Sequence, residues 1–369
     1  MPDKGSVQPR RIGRRLFWTG GLALFAWPLA VAGWSFAIEQ GSLGMALPDV
    51  RSGGWEVTGS QADIRPSVTA DSESAIIEFA PSSLIITEYL AYTGAEQSLK
   101  FNTLRTDLSN STVTLDYGAS GSWADRIAID GDIAVSATHV EHPILVPQAW
   151  SFEGRAEGRL AELRVQGTLV SDSGFTADLD VQLDPDGGVS VAIESVIDGK
   201  QGVRALADTL SGWPDLLTVD SGNARLSMEV STGRGGELEA SGIADLQDVG
   251  GVYNRTAVSG LSGRVRGFLE NSQVAASFRD LAVGEINAGI PVSSVQFSAD
   301  YSAPMTELLA GTLEVQQARA RFLEGTLRVP PAVYELAGGS GRIPVEVEDI
   351  SLSRLMAVYP AEGLSGSGQ

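Results

Sequence analysis

Residues 162–170 read Glu162-Leu163-Arg164-Val165-Gln166-Gly167-Thr168-Leu169-Val170, an alternation of apolar and polar side chains. It resumes with Phe175, Ala177, Leu179, Val181 and Leu183 set against Thr176, Asp178, Asp180, Gln182 and Asp184. Side chains of a strand point alternately to opposite faces, so a period of two writes a sheet with one apolar and one wet face. Asp184-Pro185-Asp186-Gly187-Gly188 is a turn, after which Val189, Val191 and Ile193 restart the pattern. Few segments look helical enough to cover the apolar face. The sheet is therefore half of a sandwich or a surface for something apolar.

The same period recurs along most of the chain, in Thr112–Tyr117, Ile127–Ala137, Leu163–Val170, Phe175–Leu183, Ala224–Val230 and Val295–Tyr301. Gly, Asn, Asp and Ser fill the gaps, and Gly233-Arg234-Gly235-Gly236 is a hairpin signal. Residues 41–70 read as a Gly-, Ser- and Pro-rich stretch leading into the first strands. Two helical interruptions are expected. Val203–Leu210 carries apolar residues at helical spacing and stops at Gly212 and Pro214; Leu352–Val358 follows Ser351 and stops at Pro360. Both are too short to cover a sheet of this size. The first reads as a local plug or lid.

Residues 16–38 form 23 positions without a charge, preceded by Lys4, Arg10, Arg11, Arg14 and Arg15. About 20 helical residues span a bilayer core, and the basic end stays in the cytoplasm. The expectation is a cytoplasmic tail over 1–15, a transmembrane anchor over 16–38 and an exported remainder. Ala30-Val31-Ala32 has the small-x-small form of a cleavage site, so a cleaved leader is the alternative. Both readings export the rest.

The chain carries 26 basic and 46 acidic residues; past residue 40 it has 21 and 44, a net −23. Such a surface argues against nucleic-acid partners. The absence of Cys excludes disulfides and thiolate metal sites. His139-Val140-Glu141-His142 is followed by Pro143 and reads as a surface turn rather than a metal site. There is no nucleophile elbow and no phosphate loop. The reading is no enzyme, no cofactor and no catalytic or metal residues.

Towards the C-terminus the chain carries Gly242-Ile243-Ala244-Asp245-Leu246, Gly250-Gly251-Val252-Tyr253-Asn254 and Gly260-Leu261-Ser262-Gly263-Arg264-Val265. Then come Ile286-Asn287-Ala288-Gly289-Ile290-Pro291, the strand Val295–Tyr301, Leu313-Glu314-Val315, Gly325-Thr326-Leu327 and the run Val347 to Met356. Gly363-Leu364-Ser365-Gly366-Ser367-Gly368 closes the series. This order resembles the C-terminal domain of the YdbH family, AsmA-like envelope proteins alongside TamB and YhdP. The resemblance implies a long, twisted antiparallel sheet forming an open, taco-like apolar groove, anchored in the inner membrane with its bulk in the periplasm. It implies phospholipids as cargo, carried toward the outer membrane, and a small outer-membrane lipoprotein as partner. The family's older label, dicarboxylate transport, is not adopted, because one short anchor gives no pore.

On this reading residues 39–220 are the N-terminal part of the groove and residues 221–369 the YdbH-like domain, which stops short of the family's pattern and reads as truncated. Some 20 to 25 strands about 4.8 Å apart would stack to about 100–120 Å. The expected lipid-lining residues are Leu163, Val165, Leu169, Leu179, Val181, Ala224, Leu226 and Met228. The rival is a membrane-tethered structural or adhesive β-sandwich, in which two sheets bury each other's apolar faces.

Overall fold

The computed structural model describes residues 36–38, 41–52, 54–93, 96–185, 187–232, 238–270, 272–305, 307, 310–336 and 342–358. Of the expected anchor, residues 16–35 lie outside that set. Its last three residues, Phe36–Ile38, form strand β1 and pair with Val68–Ala70. Aromatic and β-branched side chains suit a strand as well as a membrane helix, and here the sheet claims them. Among the described residues no helix is long and apolar enough to cross a membrane.

Twenty strands, β1 to β20 (Glu346–Glu348), belong to one antiparallel sheet. The single long antiparallel sheet matches the expected fold class, and the rival sandwich is not seen: there is no second sheet among the described residues. From β4 (Trp55–Ala70) through β5 (Ser74–Thr93) and β6 (Glu96–Asp116) to β17 (Thr312–Phe322), each strand pairs with the next in sequence. The ends differ. β1, β2 (Leu43–Leu47) and β3 (Val50–Ser52) lie end to end along one edge of β4. β18 (Gly325–Val329) and β19 (Ala332–Glu335) share the far edge of β17, and β20 adds to β18. Twenty strands therefore make only seventeen rows. At about 4.8 Å per step the sheet spans about 75 Å, short of the 100–120 Å expected from counting strands.

Strand boundaries follow local chemistry. β10 (Thr176–Leu183) and β11 (Val189–Asp198) meet at the expected turn, where Asp184 N–H donates to Gly188 O at 2.9 Å and Gly187 takes φ +90°. β12 (Leu217–Thr232) and β13 (Leu238–Tyr253) pair from Thr232–Leu238 onward, flanking the predicted hairpin, whose residues 233–237 lie outside the described set. β7 (Ile127–His142) carries His139-Val140-Glu141-His142 at its end, so that run is strand rather than turn, and Pro143 begins the turn. His139 Nε2 lies 3.3 Å from Glu141 on the surface.

Buried apolar residues are few and small. Nine of the fourteen are alanines, the rest Val68, Ile127, Val140, Ile197 and Val315; no Leu, Phe, Met or Trp is among them. Two packed sheets would bury their large inward side chains, so this distribution belongs to a single layer. Five of the six buried polar residues are serines, and two of them, Ser82 and Ser111, close gaps in the ladder. A β-bulge leaves backbone groups unpaired and bends the strand. At one register shift Arg65 N–H donates to Ser82 Oγ at 2.9 Å. At another, Ser111 Oγ donates to Ser109 O and Asp132 O. Asp248 and Asp280, both at φ +51°, donate their N–H groups to Ser262 and Ser298 hydroxyls.

The helix α1 (Gly199–Ala207) fills a notch, and α2 (Leu352–Val358) matches its predicted span. β9 (Arg164–Ser171) and β10 have eight residues each, against fifteen for β8 (Leu145–Arg159) and sixteen for β12. β9 ends opposite Trp150, and the ten-residue β11 ends opposite Asn223, which leaves the start of β8 and of β12 without strand neighbours on that side. α1 and the segment after it occupy the gap: Val146 N–H donates to Thr209 O, and Leu145 bridges Leu210.

Two glycine substitutions should separate close backbone approach from open surface. A Cβ on Gly154 would sit 2.2 Å from Gln166 O, whereas one on Gly267 meets nothing within 4 Å. Gly154→Ala is expected to cost about 1–3 kcal/mol, and Gly267→Ala to be neutral or to gain up to about 1 kcal/mol. Thermal melts check this; equal melting temperatures would contradict the close contact of β8 with β9.

Candidate functional site

The eight residues singled out in the sequence lie on one face. Val165 pairs with Val181, Leu169 with Ala177, and Leu179 with Gly167, which places Val165, Leu169, Leu179 and Val181 on a common side of β9 and β10. β11 carries the parity forward: Val191 faces Val181 and Val230, Ile193 faces Leu179 and Met228, Ser195 faces Leu226, and Ile197 faces Ala224. Leu163 stands just before β9 in the same parity, its carbonyl accepting from Leu183 N–H at 2.8 Å. None of the eight is buried, and Met228 is 41 % exposed.

The face extends well beyond those eight. One cross-strand row runs Ala156–Val165–Val181–Val191–Val230–Ala240–Leu269–Val274–Ala303, one residue from each of nine successive strands, β8 to β16. A parallel row runs Ser195–Leu226–Ala244–Val265–Phe278–Ala299–Val315–Ala332. On the N-terminal side Ile86, Leu104, Ala137 and Trp150 align in the same manner. The later residues escape simple sequence reading because each bulge shifts the parity by one. In β15 (Gln273–Asn287) the face passes from Phe278 to Leu281 across the bulge at Asp280.

The opposite face is laced with ion pairs. Arg164 reaches Asp180 with two hydrogen bonds, at 2.9 and 2.5 Å; Arg264 reaches Asp245 at 2.5 Å, and Arg279 reaches Asp300 at 2.8 Å. Arg155 joins Asp130 and Asp132. The Arg164 guanidinium, with the Gln166 amide, holds the Asp180 carboxyl below its usual range against the opposing effect of desolvation. Arg264 lowers Asp245 in the same way. A shallow recess of about 310 Å³ also lies on this polar side, lined by Phe268, Ala275, Ser302, Thr312 and Val333 among others. It is open and apart from the apolar rows.

A continuous apolar face of single-layer sheet, with ion pairs on its back, is chemically suited to hold acyl chains. Among the described residues no group of three or more His, Cys, Asp or Glu could hold a metal. A family model described as YdbH-like, intermembrane phospholipid transport protein YdbH, matches residues 30–369. The chain belongs to the YdbH-like family. The match takes in both apolar rows and reaches far upstream of residues 242–368, whose motifs carried the resemblance. No curated protein and no solved structure matches the chain. Within this YdbH-like chain the 220/221 division drawn from the sequence falls inside β12, and the ladder runs through it.

The Arg164–Asp180 pair predicts a pH dependence. A depressed carboxyl contributes stability that is complete above the unfolded value of about 3.9 and lost as pH falls through the lower folded value. Because the pair is half-exposed, roughly 0.2–1 kcal/mol is expected. Asp180→Asn should remove that part of the acid dependence; an unchanged acid-unfolding profile would show that the pair contributes nothing.

Proposed function

We propose that this chain is a periplasmic phospholipid carrier tethered to the inner membrane, in which lipids move along the apolar face as along the floor of an open groove, toward the outer membrane. The observation that carries the reading is the unbroken row from Ala156 to Ala303, which runs across the strands and hence along the length of the sheet. Each acyl CH₂ moved from water onto apolar surface gains about 0.8 kcal/mol. A lipid advancing by one strand, about 4.8 Å, exchanges Val for Val or Ala for Leu. Successive sites are nearly equal in energy, which is what passage along a track needs.

Family membership supports phospholipid as the cargo. The uncharged run 16–35 ahead of β1, behind five basic residues, supports the tether. Headgroups stay in solvent at the groove's mouth and need no charged pocket. Transport of this kind breaks no covalent bond, so the chain acts without catalysis or cofactor. A small outer-membrane lipoprotein is the partner proposed for the far end.

Photo-crosslinkers separate the two faces. At Val165 and Leu179 they should capture phospholipid, and at Arg164 and Asp180 they should not. Equal labelling on both parities would remove the groove.

A charge on the floor gives an independent check. Val181→Asp and Leu226→Arg each place an ion on the apolar face, where it can stay hydrated if the face is open. Bound lipid should fall while the melting temperature stays close to the parent's. Unfolding would mean that the face is a closed core.

A further inference from the structure

The apolar face has one polar spot that the carrier reading leaves unused. Gln148 and Trp150 are two apart on β8, so both side chains leave the face that carries Phe152 and Ala156. The Gln148 Nε2 and Trp150 Nε1 donors are both buried and both lack a hydrogen-bond partner. Buried donors are nearly always paired, so two orphans side by side on one strand call for an acceptor. Their surroundings do not supply it. Gln148 Oε1 already accepts from Ser173 N–H at 2.9 Å, and Trp150 packs edge-on against Phe175 with ring centroids 6.4 Å apart. The neighbouring hydroxyls are engaged with one another and with α1: Ser173 Oγ lies 2.8 Å from Thr209 Oγ1 and 2.7 Å from Ser171 Oγ, and both Ser173 and Thr209 donate to Ala205 O.

The same bonds show what covers the spot. Gln148 is joined through Ser173 to Ala205, the buried residue of α1. That helix stands where β9 and β10 stop short, in a notch in the sheet rather than in its ladder. Its attachments at this rim are the hydroxyl cluster, Thr209 O, the bridge at Leu210, and Ser211, whose N–H donates to Ile144 O and whose hydroxyl donates to Pro143 O; all are polar contacts outside the strand ladder. A lipid is the ligand that combines an apolar body with hydrogen-bond acceptors and no donor requirement at its ester and phosphate oxygens.

We propose that Gln148 Nε2 and Trp150 Nε1 form a polar docking point for an acceptor oxygen of a phospholipid, with α1 as its movable cover. The inference rests on the groove reading: acyl chains lie on the apolar rows, and the two donors fix one oxygen of the lipid at the rim beside α1. Ester carbonyl and phosphate oxygen share the required chemistry.

The test uses the full chain and vesicles of phosphatidylcholine with a radiolabelled trace. Trp150→Phe keeps an aromatic ring facing Phe175 and removes the N–H with part of the indole; Gln148→Glu keeps Oε1 as acceptor for Ser173 N–H and removes the Nε2 donor. Each should weaken lipid retention by about two- to tenfold, the worth of one hydrogen bond, in protein that still unfolds in one cooperative transition. Diether phosphatidylcholine distinguishes the oxygens: weaker retention by the parent assigns the ester carbonyl, and unchanged retention with the variant effect intact assigns the phosphate. The cover is tested in the same assay with Ser173→Cys and Thr209→Cys combined, in a chain that has no other cysteine. Uptake should slow when the pair is oxidised and recover on reduction.

Retention in both donor variants equal to the parent's would overturn the docking point and leave a bound water as the acceptor. Equal uptake in oxidised and reduced protein would overturn the cover. A parent that takes up no phospholipid would fail the groove reading itself, which these two outcomes leave intact.

Discussion

Everything in this molecule depends on the antiparallel backbone ladder, because no second layer exists among the described residues to share the load. A globular domain offsets the entropy of folding by burying large side chains. Here the large side chains of the apolar face stay half-covered, and alanines dominate what is buried. Stability must therefore come from strand-to-strand hydrogen bonds and from side-chain pairs between neighbouring strands. The long hairpins serve this need: β5 and β6 run to 20 and 21 residues, which maximises contact between strands that have nothing above them.

A ladder that carries the fold cannot leave gaps, and this one is interrupted repeatedly by bulges. Serine hydroxyls at 82, 111, 262 and 298 bond the backbone groups that the bulges release. Bulges bend strands and increase twist, so the devices that threaten the ladder also curve the sheet. The ion pairs on the other face add modest stability and keep the back of the sheet wet, which discourages stacking of one sheet on another.

Much of this was legible in the sequence. The alternation at 162–183 identified the strand period, the apolar parity and five of the eight face residues, the run at 224–230 gave the other three, and the turn at 184–188 lies where its Pro and Gly residues demand. Four features were not. Bulges at Asn110, Asp248 and Asp280 use non-glycine residues at positive φ, and nothing in the local composition announces them. The strand count overstated the length because short strands share an edge, a matter of pairing that no single segment encodes. Phe36–Ile38 read as membrane helix because hydrophobicity alone does not distinguish a strand edge from an anchor's end. The polar spot at Gln148 and Trp150 was equally hidden, since it arises only when β8, the β9–β10 turn and α1 meet.

The central claim is that an open apolar face carries phospholipid along its length. The most direct measurement is the number of phospholipids bound per chain, by mass spectrometry of protein purified without detergent exchange into lipid. A face continuous over nine strands spans about 38 Å and should carry more than one phospholipid per polypeptide, with no fixed integer stoichiometry. A folded chain that purifies free of phospholipid, and stays free after incubation with vesicles, would contradict the account.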